Sequence, residues 1–181
     1  GSWVATLREQ GVLVNELLPA NCGFDVSGRH GQGWSAFFAD KFAGQPFKTV
    51  AMRWQDTAGH WHRKQGEFVA TQTGVEGSLV YSASKDLRDV LLRDGVASFQ
   101  LDLLPDRSLD FVLAAVAHPK GSRSLSSHLK SRLGLAGIKA ALLYELLDAP
   151  TLNHPAALAQ AIKALPVQVR QTRPLDEAIS S

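Results

Sequence analysis

The apolar residues of this chain change their spacing twice, near Pro105 and again near Pro166. Those two changes constrain the fold more than any single motif. Between Phe47 and Trp54 the period is two: Val50, Met52 and Trp54 share one face, with Lys48 at the start of the run. Alternate side chains of an extended chain point to opposite faces, so the run predicts a half-buried strand. Pro46 opens it, Asp56-Thr-Ala-Gly59 supplies a turn, and Trp61 to Thr71 returns as its hairpin partner. Ala97, Phe99, Leu101 and Leu103 alternate with Ser98, Gln100 and Asp102, which predicts another strand. Between these, Glu76 to Arg93 predicts a helix with a stripe of Val80, Ala83, Leu87, Val90 and Leu91, ended by Asp94-Gly95.

After Pro105 the spacing becomes helical. Ser108 caps a helix through Leu109, Val112, Leu113 and Val116, and His118-Pro119-Lys120-Gly121 breaks it. Leu125, Leu129 and Leu133 mark a second helix, stopped by Gly134. Gly137 precedes a third, with Ile138, Ala141, Leu142 and Leu146. Asn153 as cap and Pro155 near the first turn frame a fourth, whose stripe is Leu158, Ala161, Ile162 and Leu165. Pro166 ends it, and Val167 with Val169 predicts a last strand. The expected organisation is α+β. Residues 1–104 plus 166–181 form a β-rich subdomain, and 105–165 form an inserted helical one. The last strand should pair with the first part.

Upstream, Trp3 and Leu7 predict a helix over 3–10 stopped by Gly11, and Val12 to Leu18 a strand broken by Pro19. Asn21 to Gly33 is glycine-rich and predicts turns. Trp34, Phe37, Phe38 and Phe42 then predict a short helix with an aromatic face over Trp34 to Ala43, ended by Gly44. Trp34, Phe37, Phe38, Val50, Met52, Phe99 and Leu101 are expected to share one core.

Composition narrows the function classes. The chain is 45% hydrophobic and 20% charged with a net charge of +2, so it has matter for a core and no footprint for nucleic acid. Cys22 is alone, which excludes an internal disulfide or a cysteine zinc cluster; a buried small residue is the plainer reading than a nucleophile. No stretch is long and apolar enough for a membrane span, and no signal peptide is visible, which leads to a cytoplasmic expectation. The one methionine is Met52, and Gly1-Ser2 reads as a cloning scar. A domain cut from a longer protein is therefore expected.

Motifs for chemistry are sparse. Gly28-x-x-Gly31-x-Gly33 has the wrong order for a dinucleotide fingerprint and reads as a loop. His60-x-His62 lies at a hairpin turn with no third ligand or carboxylate evident beside it, so no metal site is expected. The basic run Lys120 to Arg132 reads either as an anion or partner site at a helix start or as a solvated face capped by Ser124. The segment Thr71-Gln-Thr-Gly74-Val-Glu76-Gly77-Ser78 sits between a strand and a helix. Its glycines let backbone approach a ligand, and a helix starting near Glu76 aims N–H groups toward it. Plain turn geometry accounts for the same residues.

Four motifs occur in order: Phe42-Ala-Gly-Gln-Pro-Phe-Lys48-Thr-Val, Gln65-Gly-Glu-Phe-Val-Ala-Thr71-Gln-Thr-Gly-Val-Glu-Gly77-Ser, Asp102-Leu-Leu-Pro105 and Arg173-Pro-Leu-Asp-Glu-Ala-Ile-Ser-Ser181. This set resembles the BaiN/YhiN-type flavoproteins, often labelled NAD(FAD)-utilising dehydrogenases, across nearly the whole chain. The resemblance implies an insert that interrupts a Rossmann-like FAD domain, with a split-barrel-like β part carrying a helical subdomain. It implies FAD in the parent protein, an FAD-dependent NAD(P)H oxidoreductase, and the parent's Rossmann-like FAD domain as partner. The insert would cover the flavin and shape the substrate cavity, with Thr71, Gly74, Glu76, Gly77 and Ser78 near the cofactor. The family's pattern here is Phe-Thr-His-x-Gly-x-Ser-Gly-Pro. Thr71, Gly74 and Gly77 match it, while Gln72, Glu76 and Ser78 replace its His, Ser and Pro, which marks a distinct subgroup. The FAD glycine fingerprint is absent from these residues, so the chain alone is expected neither to bind FAD nor to be active. On the same reading, Gly77→Val should leave this domain folded. The alternative is an autonomous binding or dimerisation module that uses the basic helical block.

Overall fold

The computed structural model describes residues 22–173. The helix expected at 3–10, the strand at 12–18 and the motif beyond Arg173 lie outside the described residues. Seven strands form one antiparallel sheet: β1 (Phe24–Gly28), β2 (Gly31–Gln32), β3 (Pro46–Gln55), β4 (Trp61–Ala70), β5 (Gly74–Glu76), β6 (Ala97–Asp102) and β7 (Leu165–Thr172). Six of them run in the order β1-β5-β4-β3-β6-β7, and β7 pairs back onto β1. The sheet thus closes into a barrel, which removes the open edges that an isolated sheet would expose. β2 hangs outside the ring as the return arm of a hairpin from β1.

Register sets the barrel interior. Met52 pairs with Leu101, Trp54 with Phe99, Phe47 with Phe68, and Phe99 with Val167, and all of these side chains are buried. Phe47 and Phe68 stack at 4.6 Å between ring centroids, and Phe99 meets Phe68 edge-on. Phe47 and Val50 are both buried although they are three apart. Strict alternation forbids that, and a bulge between them, with Thr49 at φ 52°, resolves it.

Helix α1 (Ala36–Phe42) leads into β3, and α2 (Ser78–Asp94) packs on the barrel through Leu79, Val80, Ala83 and Leu87. Trp54 Nε1 donates to Asp86 on α2 at 2.9 Å. Five helices fill the interval between β6 and β7: α3 (Leu109–Ala117), α4 (Leu125–Leu133), α5 (Gly137–Leu146), α6 (Ala149–Leu152) and α7 (Pro155–Lys163). Ser108 and Ser124 cap α3 and α4 as expected, and Gly134 closes α4 in the left-handed conformation. The helices share one continuous apolar cluster with the barrel, from Phe24 to Leu143 and Ile162. Polar ties hold them there. Lys163 bridges Asp102 at 2.8 Å, and Lys139 Nζ donates to the carbonyls of Thr49 and Leu103, each at 3.1 Å. Burial pulls the Lys139 pKa below the ordinary lysine range, opposed by the charges of Asp102 and Asp106.

The α+β class, a barrel-like β part and the pairing of the last strand with the first part stand, and the barrel is closed. Five local expectations do not. The last long helix stops at Lys163, and Leu165 and Pro166 belong to β7, paired with Leu101 and Gln100, instead of continuing or ending the helix. Asn21 to Gly33 holds β1 and β2 instead of turns alone; Phe24 and Val26 are both fully buried, but their alternation is too short to outweigh the glycines around it. Glu76 ends β5, and α2 starts only at Ser78. There are five helices before β7, because Asp148 caps the extra short α6. Asn153 closes that helix, and His154 caps α7 through Nδ1, which accepts from Ala157 N at 3.1 Å.

Candidate functional site

The segment from Thr71 to Ser78 is a turn followed by a strand. Thr71 Oγ1 accepts from Thr73 N at 3.3 Å and Gly74 N at 2.8 Å, and Thr71 N donates to Gly74 O at 2.8 Å. β5 then runs between β1 and β4. A Cβ at Gly74 would lie 1.8 Å from the Phe24 carbonyl oxygen. The open face of Gly74 is therefore filled by β1, and a ring cannot approach there. Gly77 sits at φ 112°, ψ 178°, directly before α2, and gives its first turn no side-chain cap. Ser78 Oγ donates to Glu67 O at 3.4 Å, and Glu76 is exposed. Thr71 and Gly74 thus share one turn, while Glu76, Gly77 and Ser78 gather at the start of α2.

An acid network borders that turn. Asp25 is 8% exposed and accepts from Thr73 Oγ1 and Gln171 Nε2, each at 2.5 Å, and from Arg173 Nη1 at 3.3 Å. It ties β1, β7 and the turn together. Nothing local in the sequence marks it, since its partners lie up to 148 residues away.

Helix α1 is strapped to the same segment at both ends. Trp34 Nε1 donates to Gly74 O at 3.1 Å, and Gly44 N donates to Ala70 O at 2.7 Å. The other flank of α1 faces α4 and α5 across a cleft of about 620 Å³, lined by Phe37, Phe38, Lys41, Lys130, Tyr144 and Glu145, among others. Its volume lies in the range of small-molecule sites, and its walls combine aromatic surface with two ammonium groups. Phe37 is 68% exposed there, so it does not join the core expected for it. Trp34, Phe38 and Phe42 are spaced four apart and turn inward together, which leaves Phe37 on the flank.

Glu145 ties the two walls of the cleft together. Its carboxylate accepts from Ser35 N at 2.7 Å and from Ser35 Oγ at 2.6 Å, and Ser35 Oγ in turn accepts from Phe38 N at 3.2 Å. An acid from α5 thereby holds the start of α1. Glu145→Ala should cost about 2 kcal/mol, the worth of a charge-assisted pair. Urea unfolding measures it, and Glu145→Gln, which keeps an acceptor, should lose about half as much. A loss below about 0.5 kcal/mol for Glu145→Ala would mean that the clamp does not hold the cleft.

The remaining candidates resolve simply. Cys22 is fully buried, and burial raises its thiol pKa, so the reactive thiolate is disfavoured. His62 lies 2.8 Å from Asp56 and 3.9 Å from Asp86, which corrects the expectation that no carboxylate stands beside it. The hydrogen bond from His62 holds the Asp56 carboxyl below its ordinary pKa. Among the described residues no group of three His, Cys, Asp or Glu side chains is arranged to hold a metal ion. In the basic run, Lys130 and Arg132 lie exposed on α4, while Leu129 and His128 face the core.

No curated protein matches this chain. A family model described as the HI0933-like protein barrel and H2TH domain matches residues 18–180, the same span that carries the closed barrel and the helical block. The chain therefore belongs to this HI0933-like family, whose members are FAD-dependent oxidoreductase-like proteins.

Proposed function

We propose that this domain is the insert of a BaiN/YhiN-type flavoprotein, an FAD-dependent NAD(P)H oxidoreductase, where it covers the flavin and shapes the substrate cavity. The observation that carries the reading is the family match over residues 18–180. Its partner is a Rossmann-like FAD domain, which supplies the cofactor's chemistry; the insert supplies walls, positioning and exclusion of water. Residues 1–104 plus 166–181 act as the barrel subdomain and 105–165 as the helical one. The protein works in the cytoplasm; among the described residues no helix is long and apolar enough to cross a membrane.

The surface offered to the cavity runs from the exposed Gln72 and Thr73 at the tip of the turn along α1 to the aromatic cleft. The hydrogen bonds from Trp34 and Gly44 to the 70–74 segment make these one continuous, rigid border. At the far end of β5, Glu76, Gly77 and Ser78 bring the uncapped start of α2, whose partial positive charge suits an anionic reduced flavin. Because Phe37 is exposed, its loss should leave the fold intact. In the whole flavoprotein, Phe37→Ala should lower kcat/KM about tenfold with an unchanged melting temperature. Steady-state kinetics of both forms, followed by flavin absorbance, measure it. Unchanged kcat and KM would remove the cleft from the substrate cavity.

A further inference from the structure

The outer wall of the barrel carries a second arrangement, away from the proposed flavin face. β3 and β4 are in register so that Arg53 and Arg63 stand directly opposite each other. Both side chains are exposed. Like charges at paired positions of an antiparallel ladder repel. Among the described residues neither guanidinium has a hydrogen bond or a carboxylate partner. The nearby acid, Asp102, is already engaged: it bridges Lys163 at 2.8 Å and accepts from Leu104 N at 3.0 Å. Lys163 also spends its protons on the carbonyls of Leu104 and Arg107. Arg53 is held over the Trp61 ring at 4.1 Å, which fixes the plane of its fork. Together with the two arginines, Ala51 and Gln100 line a recess of about 280 Å³ that also touches Asp102 and Lys163. With Asp102 and Lys163 cancelling each other, the recess keeps the charge of both arginines.

We propose that this recess binds a diphosphate group, such as that of a nucleoside diphosphate. Two guanidinium forks can each take a pair of phosphate oxygens, a match that ammonium groups do not offer. A polyanion held by both replaces repulsion across the ladder with attraction. One bound ring face and one oriented fork mean that little side-chain freedom is lost when the anion arrives. The site is independent of the flavin reading, since it lies on the outward face of β3 and β4 and uses none of the residues assigned to the cleft.

Isothermal titration and melting curves of the 181-residue chain test it, with inorganic pyrophosphate, ADP and adenosine as probes and sodium chloride matched for ionic strength. Pyrophosphate and ADP should bind saturably and raise the melting temperature. Adenosine and chloride should do neither. Arg53→Gln or Arg63→Gln should each weaken pyrophosphate about tenfold, the loss of one charge-assisted fork. Without ligand, Arg63→Gln should melt at or above the wild-type temperature, because a repulsion has been removed. Binding that survives both substitutions, or an equal response to chloride, would overturn the site. A lower melting temperature of unliganded Arg63→Gln would overturn it too, since the charge would then be satisfied within the chain.

Discussion

Gly74→Ala is expected to cost about 4 kcal/mol or more, enough to unfold much of the chain at room temperature. The reason lies in the sheet, not in the turn. Gly74 pairs with Asp25 where β5 lies against β1 in the barrel. An added Cβ would meet the Phe24 carbonyl oxygen at 1.8 Å, its carbon at 2.7 Å and Asp25 Cα at 2.8 Å. All three are backbone atoms, so no rotamer change relieves the contact. β1 would have to move away from β5, and it also pairs with β7. Separating β1 breaks the ring and pulls at the network around Asp25. Gly66→Ala is the matched comparison. Its new Cβ would meet only Leu79 side-chain carbons, at 3.6 and 3.8 Å, in ordinary contact. That substitution should change stability by less than about 1 kcal/mol, and it gains from reduced freedom in the unfolded chain. Denaturant midpoints for the two variants make the comparison. Equal, small losses would show that β1 is not held against β5 at this point.

The same two positions show how far sequence reaches. β3 and β6 are legible because each buries one face, so alternation survives, and β4 is legible because the turn after Asp56 folds it back along β3. The caps Ser108 and Ser124 and the stop at Gly134 were legible because capping is decided within four residues. β5 was not, because a three-residue strand has no period; it exists through its two neighbours. From the sequence Gly74 offers room for a ligand, whereas the strand that fills the room comes from 49 to 50 positions earlier in the chain. The bulge at Thr49 is similarly tertiary in origin. The cleft was half legible. The aromatic helix could be read from its spacing, but the wall opposite it could not, since Ser35 and Glu145 are 110 residues apart. Family resemblance supplied the functional direction that local pattern lacked, and the family match supports it at the level of the family.

Gly77→Val is the second large effect, and it reverses the expectation that this substitution leaves the domain folded. Gly77 has φ 112° and ψ 178°, a region open almost only to glycine. Its Cβ would also lie 3.2 Å from Phe68 Cα and 3.4 Å from Val69 N. A β-branched side chain there combines backbone strain with contact against β4, for a loss of about 3 kcal/mol. Any fall in flavin turnover of the whole protein would then report unfolding before it reported the cofactor. Asparagine separates the two explanations. Gly95 closes α2 at φ 76°, ψ −5°, near the left-handed conformation that asparagine tolerates. Gly95→Asn should cost less than about 1 kcal/mol. Gly77→Asn should cost nearly as much as Gly77→Ala, because asparagine gives no relief at ψ near 180°. Urea midpoints of these variants decide it. If Gly77→Asn is as mild as Gly95→Asn, the backbone at the start of α2 is free to relax. The glycine would then be explained better by what approaches it from outside.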